Sequence, residues 1–384
     1  MQFIQRSRGT FAILIGLSLS ACAGAVIPAA NPPPPGKRAP ASAQPKPAGP
    51  VVRAPDRQTQ APVPTSRQEV NSAFWRPPPG LNDTIFQLWK AFPGKTGIAV
   101  ARIDGDWQLD WRGDDLFPQQ SVSKLWVSLA ILDAVDAGRV QLNDRVRIGP
   151  GDLTLFSQPI AARVRTEGAI SPTVAELMEQ AINRSDNTAN DSLLRHVGGP
   201  RAVRDFISRN RLGAIRFGPG ERLLQAEIAG VTWDQSMSAD NGFQAARARL
   251  MPEARSAAMA RYLADPIDGM SPAAAARALT RLARGELLSP ASTKYILDLM
   301  DRTRTGPNRI KAGLPPEWRF GHKTGTGQNL APITAGYNDI GIATAPDGTR
   351  YAIVVMLADT TASIPARMQL MQAVSRAVAA GHGK

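Results

Sequence analysis

Ser121-Val122-Ser123-Lys124 is the stretch on which the reading of this chain turns, because Ser185-Asp186-Asn187 and then Lys323-Thr324-Gly325 follow it in fixed order. A serine hydroxyl is a poor nucleophile at neutral pH and needs a base within hydrogen-bond reach. The apolar spacing of Leu125, Leu129, Leu132 and Val135 predicts a helix opening at Ser121. Lys124 would then lie one turn further on, on the same face, with its amine at the serine oxygen. Free N–H groups at the start of that helix would stabilise negative charge developing there. Each motif alone is common; the ordered triple points to serine acyl transfer.

Outward from the triple, 384 residues with 43% apolar content can build one large or two smaller cores. Residues 1–21 read as an export signal: Arg6 and Arg8, an apolar run from Phe11 to Leu19, then small residues before Cys22. Cys22 is the only cysteine, which excludes an intramolecular disulfide and a cysteine-based metal cage. Residues 28–79 hold 15 of the 32 prolines and form, with Cys22, an extended linker over 22–79 that has no core of its own. In polyproline form, at ~3.1 Å per residue, such a linker reaches at most roughly 160 Å.

The net charge of +13 invites a nucleic-acid reading, but the basic residues are scattered, with no aromatic-studded cluster and no binding motif. A basic surface facing anionic envelope polymers is the plainer account, and no nucleic-acid partner is expected. His196, His322 and His382 are too few and too dispersed for a metal site, so none is expected.

From residue 80 to 384 the composition is that of an ordinary folded domain. Strands are expected at Thr96–Ile103 and Trp107–Trp111, joined by Asp104-Gly105-Asp106. A mostly helical stretch over about 140–300 follows the Ser121 helix. Strands return at Trp318–Lys323, Tyr337–Thr344 and Tyr351–Leu357, before a closing helix near Pro365–Ala380. The expected fold is therefore α/β, of the α+β kind: one antiparallel sheet built from both chain ends, flanking helices, and an inserted all-helical lobe, with the site where they meet. An earlier Lys95-Thr96-Gly97 precedes the nucleophile and reads as strand entry; Trp89 stands where a phosphate-binding loop would need glycine.

The ordered triple is the signature of the penicillin-recognising serine hydrolases, and residues 80–384 resemble their class A β-lactamases. Phe117-Pro118, Asn187-Thr188-Ala189, Gly198-Gly199-Pro200, Arg284-Gly285-Glu286-Leu287-Leu288 and Gly313-Leu314-Pro315 are similar to that family's framework. The resemblance implies Ser121 as acylated nucleophile, Lys124 as its proton partner, and Ser185 as proton shuttle to the leaving nitrogen. Asn187 would hold the substrate's side-chain amide. Lys323, Thr324, Gly325 and Thr326 would line the wall that takes the carboxylate, with Ser121 and Thr326 N–H groups as oxyanion hole. Glu221, in Glu221-Arg222-Leu223-Leu224-Gln225, stands where the family has the loop glutamate that activates the deacylating water, and Gln225 where an asparagine positions it.

Three departures from the family accompany these matches. Pro219 replaces a loop-tying arginine. About forty residues separate Gln225 from Asp265-Pro266-Ile267-Asp268, and this insertion is expected to form a small flap with a helix at Pro252–Tyr262. The strand after Lys323-Thr324-Gly325 carries Asn338-Asp339 in place of an arginine, so Arg309 is expected to reach the substrate carboxylate from upstream. Leu19-Ser20-Ala21-Cys22 resembles a bacterial lipobox, implying lipidation of Cys22, anchoring in the cell envelope facing the periplasm and, with Ala23 following, the outer membrane.

The leading expectation is a monomeric, lipid-anchored β-lactamase that uses no metal or organic cofactor. The same acylation machinery would serve a D-alanyl-D-alanine peptidase acting on cell-wall peptides. A third reading is a non-catalytic envelope lipoprotein that keeps the fold.

Overall fold

A computed structural model describes residues 76–384; the expected export signal, Cys22 and all but the end of the linker lie outside the described residues. Helix α1 (Leu81–Ala91) leads into strands β1 (Lys95–Arg102) and β2 (Gln108–Trp111). The short β3 (Phe117–Pro118), a single 3-10 turn (Gln120–Ser123) and α2 (Lys124–Asp136) carry the first motif. The helical lobe continues through α3 (Ala161–Glu167), α4 (Val174–Asn183), α5 (Asn187–His196), α6 (Gly199–Arg209), α7 (Glu221–Ala229), α8 (Gly242–Ala248) and α9 (Pro252–Ala264). After β4 (Gly269–Met270), which pairs with β3, come α10 (Pro272–Ala283) and α11 (Pro290–Asp301). The chain then returns to the sheet through β5 (Arg319–Thr326), the hairpin β6 (Asn329–Leu330) and β7 (Ile333–Thr334), β8 (Tyr337–Thr344), β9 (Arg350–Ala358) and a closing α12 (Ile364–Gly381).

The main sheet has the order β2-β1-β9-β8-β5 with antiparallel neighbours, so strands from both ends pair directly, as at Ile98 and Val355. This is the architecture expected from the sequence. Both faces of the sheet are covered. On β9, Ala352, Val354 and Met356 point into the core shared with the helical lobe, whereas Tyr351, Ile353, Val355 and Leu357 point into the core under α1 and α12. Alternating residues face opposite sides, so a strand covered twice reads as an unbroken apolar run. Helix α2 runs through the larger core and is buried on every side, including Trp126 and Leu129; an all-round apolar helix can only sit inside.

Three expectations are corrected. The α-helix begins at Lys124, not Ser121, which sits in the 3-10 turn ahead of it. Glu221 is not on an irregular loop but opens α7, after Gly220 at φ 104°, a conformation that favours glycine. The insertion is helical well beyond Pro252: α7 extends into it, a 3-10 turn spans Gln235–Ser238, and α8 precedes α9. Pro252 and Pro272 both stand at first helical positions, where a missing N–H costs nothing.

Candidate active site

Ser121 is held at the mouth of α2 by residues far away in sequence. Gln120, just before it, has φ 54°, and Ser185 has φ 58°; non-glycine residues pay roughly 1–3 kcal/mol for such conformations, which therefore need outside support. Asp268 supplies part of it by accepting the Gln120 N–H at 2.8 Å, and Tyr262 donates its hydroxyl to the same carboxylate at 2.8 Å. Asn338 on β8 donates to the carbonyls of Pro118 at 2.7 Å and Gln119 at 3.1 Å. The close approach explains Gly325: a Cβ there would lie 2.3 Å from the Gln119 carbonyl oxygen.

Lys124 donates from Nζ to Ser121 Oγ at 2.8 Å and also to Glu221 Oε1. Its side chain and that of Glu221 are almost wholly buried, so the amine lies between nucleophile and carboxylate with little competition from water. Glu221 is oriented by Asp191 on α5, whose Oδ1 accepts the Glu221 backbone N–H at 3.0 Å. Burial, then the Glu221 charge, pushes the Asp191 carboxyl up to about 6. Burial likewise raises Asp268 to about 6.

On the opposite wall, Lys323 is fully buried and donates to Ser185 Oγ at 3.0 Å. Burial first, then the Lys124 and Arg309 charges, hold its amine well below the usual lysine range. Asp186 caps α5 by accepting Ala189 N–H at 2.9 Å and also accepts Ile160 N–H at 2.7 Å, which fixes Ser185 and Asn187 on either side of it. Asn187 donates to the Leu155 carbonyl at 2.8 Å, and its buried Oδ1 has no hydrogen-bond partner among the described residues. Thr324 shares a hydroxyl contact of 2.7 Å with Thr305.

Arg309 reaches this wall, but its guanidinium is largely engaged by protein. Nη1 donates to the carbonyls of Gly325 at 3.1 Å and Asn338 at 2.6 Å, Nη2 donates to Thr326 Oγ1 at 2.6 Å, and the group lies 3.8 Å from the Tyr337 ring centroid. It ties β5 to β8 and orients the Thr326 hydroxyl.

Ser121, Ser185, Asn187, Glu221, Gln225, Arg309, Thr324 and Thr326 line one cavity of about 540 Å³, with Lys124, Lys323 and Gly325 just behind. That size suits a small organic substrate. Gln225 donates to Gln120 Oε1 at 3.1 Å and to Glu221 Oε2 at 3.4 Å, and accepts from Gln328 at 3.0 Å, so it bridges three segments of the rim.

Several members of the site are not evident from the sequence: Gln120, Asn338, Gln328, Arg247 and Asp191. Only Asp191 leaves a signal there, one helical turn after Asn187 and so on the same face of α5. A further buried pair, His322 Nδ1 on β5 and Asp339 Oδ1 on β8 at 2.7 Å, adjoins Lys323.

Known proteins are similar to this chain in sequence and fold. The model of the beta-lactamase enzyme family matches residues 80–381. Beta-lactamase VEB-1 of Pseudomonas aeruginosa is 27% identical over 277 residues, 72% of this chain and 81% of its own. A beta-lactamase from Chitinophaga pinensis superposes with a TM-score of 0.65 at 26% identity, covering 78% of this chain and 98% of its own. The class A beta-lactamase of the last common ancestor of Gram-negative bacteria gives 0.62 at 31% identity, with 78% and 98% covered. With the motifs, the sheet built from both ends and the family match in agreement, the chain belongs to the beta-lactamase enzyme family, in its class A branch.

Proposed function

We propose that this protein hydrolyses the amide of β-lactams through an acyl-enzyme on Ser121, with Glu221 assisting deacylation. The observation that carries the reading is the buried chain Ser121 Oγ, Lys124 Nζ, Glu221 Oε1. Lys124 touches both the nucleophile and the carboxylate, so a proton leaving Ser121 has an acceptor path at hand. In the same cavity Asn187 Oδ1, which has no partner among the described residues, is an acceptor for a substrate amide N–H. The cationic end at Lys323, with the Thr324 and Thr326 hydroxyls, suits a substrate carboxylate. Backbone N–H groups of Ser121 and Thr326 would receive the oxyanion. Ser185, bonded to Lys323, would pass a proton to the leaving nitrogen. A cell-wall peptidase would share the acylation half; the placement of Glu221 against Lys124 favours the hydrolase.

The test is turnover. Purified protein should open many equivalents of a chromogenic cephalosporin, and Ser121→Ala should abolish it. A single stoichiometric adduct that persists for many minutes would instead favour a D-alanyl-D-alanine peptidase. We further infer from residues 1–22 that the protein is exported and anchored in the envelope through lipidated Cys22.

A further inference from the structure

The insertion behind Gln225 meets the cavity through one side chain, Arg247 of α8. Its Nη2 donates to the Asn329 carbonyl at 2.8 Å, while its Nε is buried with no hydrogen-bond partner among the described residues. A guanidinium has five N–H donors, so most of its capacity remains unspent. The charged group felt most at Arg247 is another cation, Arg255. Among the described residues that line the cavity, Glu221 is the single carboxylate, and Lys124 already holds it. A half-buried cation with a cationic neighbour and no carboxylate of its own favours an incoming anion.

Its position follows from a chain of contacts that starts at the amide-holding residue. Asn187 is tied to the Leu155 carbonyl. Phe156, next along and half exposed, meets Phe243 of α8 edge to face at 5.2 Å. Arg247 lies four residues, one helical turn, after Phe243 and so on the same side of the helix. Its acceptor, Asn329, lies three residues past Thr326, at most about 10 Å away along extended chain. Arg247 thus joins the cavity on the side of Phe156, toward which a group beyond the Asn187-bound amide would extend.

We propose that Phe156 and Arg247 form a subsite for a second carboxylate, carried with an apolar or aromatic portion on the acylamino side chain of the substrate. This deepens the β-lactam reading of the cavity and rests on it. Carbenicillin and benzylpenicillin make the probe, since they differ by one side-chain carboxylate. Calorimetric titration of each into Ser121→Ala protein gives a ratio of dissociation constants that does not depend on turnover. Adding Arg247→Gln should weaken carbenicillin relative to benzylpenicillin about tenfold, Arg247→Lys should restore part of the preference, and 0.5 M NaCl should erode it only where the cation is present. An unchanged ratio in Arg247→Gln, equal weakening of both penicillins, or binding of neither would overturn the proposal. Turnover by the Ser121 protein, measured separately, tests the hydrolytic reading on its own: a shifted ratio without turnover would sink that reading and leave the subsite standing.

Discussion

Asp191 Oδ1 accepts the backbone N–H of Glu221 at 3.0 Å, so a second buried carboxyl group holds the residue at the end of the proton path from Ser121. The Asp191 carboxyl is consequently raised from 3.8 to about 6, by burial first and the Glu221 charge second. Between about pH 4 and 6 the folded state therefore holds a proton that the unfolded chain has released, and stability falls as pH rises through that window. Asp191→Asn keeps an oxygen for the Glu221 N–H and removes the ionisation. Urea unfolding should show the variant more stable than the parent by about 1–3 kcal/mol at pH 7.5 and nearly equal to it at pH 4. An equal difference at the two pH values would refute the assignment.

Glu221→Gln separates the two halves of the reaction. Mass spectrometry should find Ser121 still acylated, because Lys124 remains at its hydroxyl, with release of the adduct slowed more than its formation, by roughly 10²–10⁴-fold, the usual worth of a positioned base. Unchanged turnover would remove Glu221 from deacylation.

Lys323 is held well below the usual lysine range by burial and by the Lys124 and Arg309 charges. A lowered amine loses its charge at lower pH, so attraction for a substrate carboxylate should fade on the alkaline side well before the 10.5 of an ordinary lysine. The limb belongs in kcat/KM, which reports the free enzyme, and should move to higher pH in kcat, because the bound carboxylate restores the charge. Lys323→Arg, charged throughout, should flatten the limb even at lower overall activity. An alkaline limb identical in parent and Lys323→Arg would exclude this lysine as its source.

Gly325→Ala would put a methyl 2.3 Å from the Gln119 carbonyl oxygen and 3.1 Å from Asn338 Nδ2, on the contact that seats Ser121. Overpacking of this kind costs about 1–3 kcal/mol. Activity should drop at least tenfold, with a lower Tm. Gly149 is the control, because a methyl added there would meet nothing within 4 Å and its φ is −117°. Gly149→Ala should leave Tm within about a degree.

Cys22→Ser tests the envelope anchor. In fractionated cells the parent should sediment with membranes and the variant should be released in soluble form. Equal distribution of the two would remove the anchor.

Much of the fold was legible because its determinants are local. Tyr337–Thr344 is a strand as expected, and β9 and α12 lie within a residue or so of expectation, since a doubly covered strand and a capped helix announce themselves in composition. The chemistry at Ser121, Lys124, Ser185 and Lys323 was legible for a different reason: acyl transfer needs those groups, and two of them sit one turn apart in a single motif. Less legible was the insertion. Its α8 is a short stretch of mostly small residues with a single arginine, and nothing in that pattern says that Arg247 reaches the Asn329 carbonyl.

The residue types of the acylation site and the pairing of both chain ends in one sheet were determined by the sequence alone. Tertiary structure decided how those residues are held: the left-handed Gln120 stabilised by Asp268, the Asn338 clamp on Pro118 and Gln119, Arg309 committed to protein carbonyls, and Asp191 beneath Glu221. The reason is physical. A nucleophile and its base one turn apart are set by helix geometry, whereas a hydrogen bond between groups about thirty to more than two hundred residues apart exists only after packing has brought them together and excluded the water that would otherwise satisfy each of them.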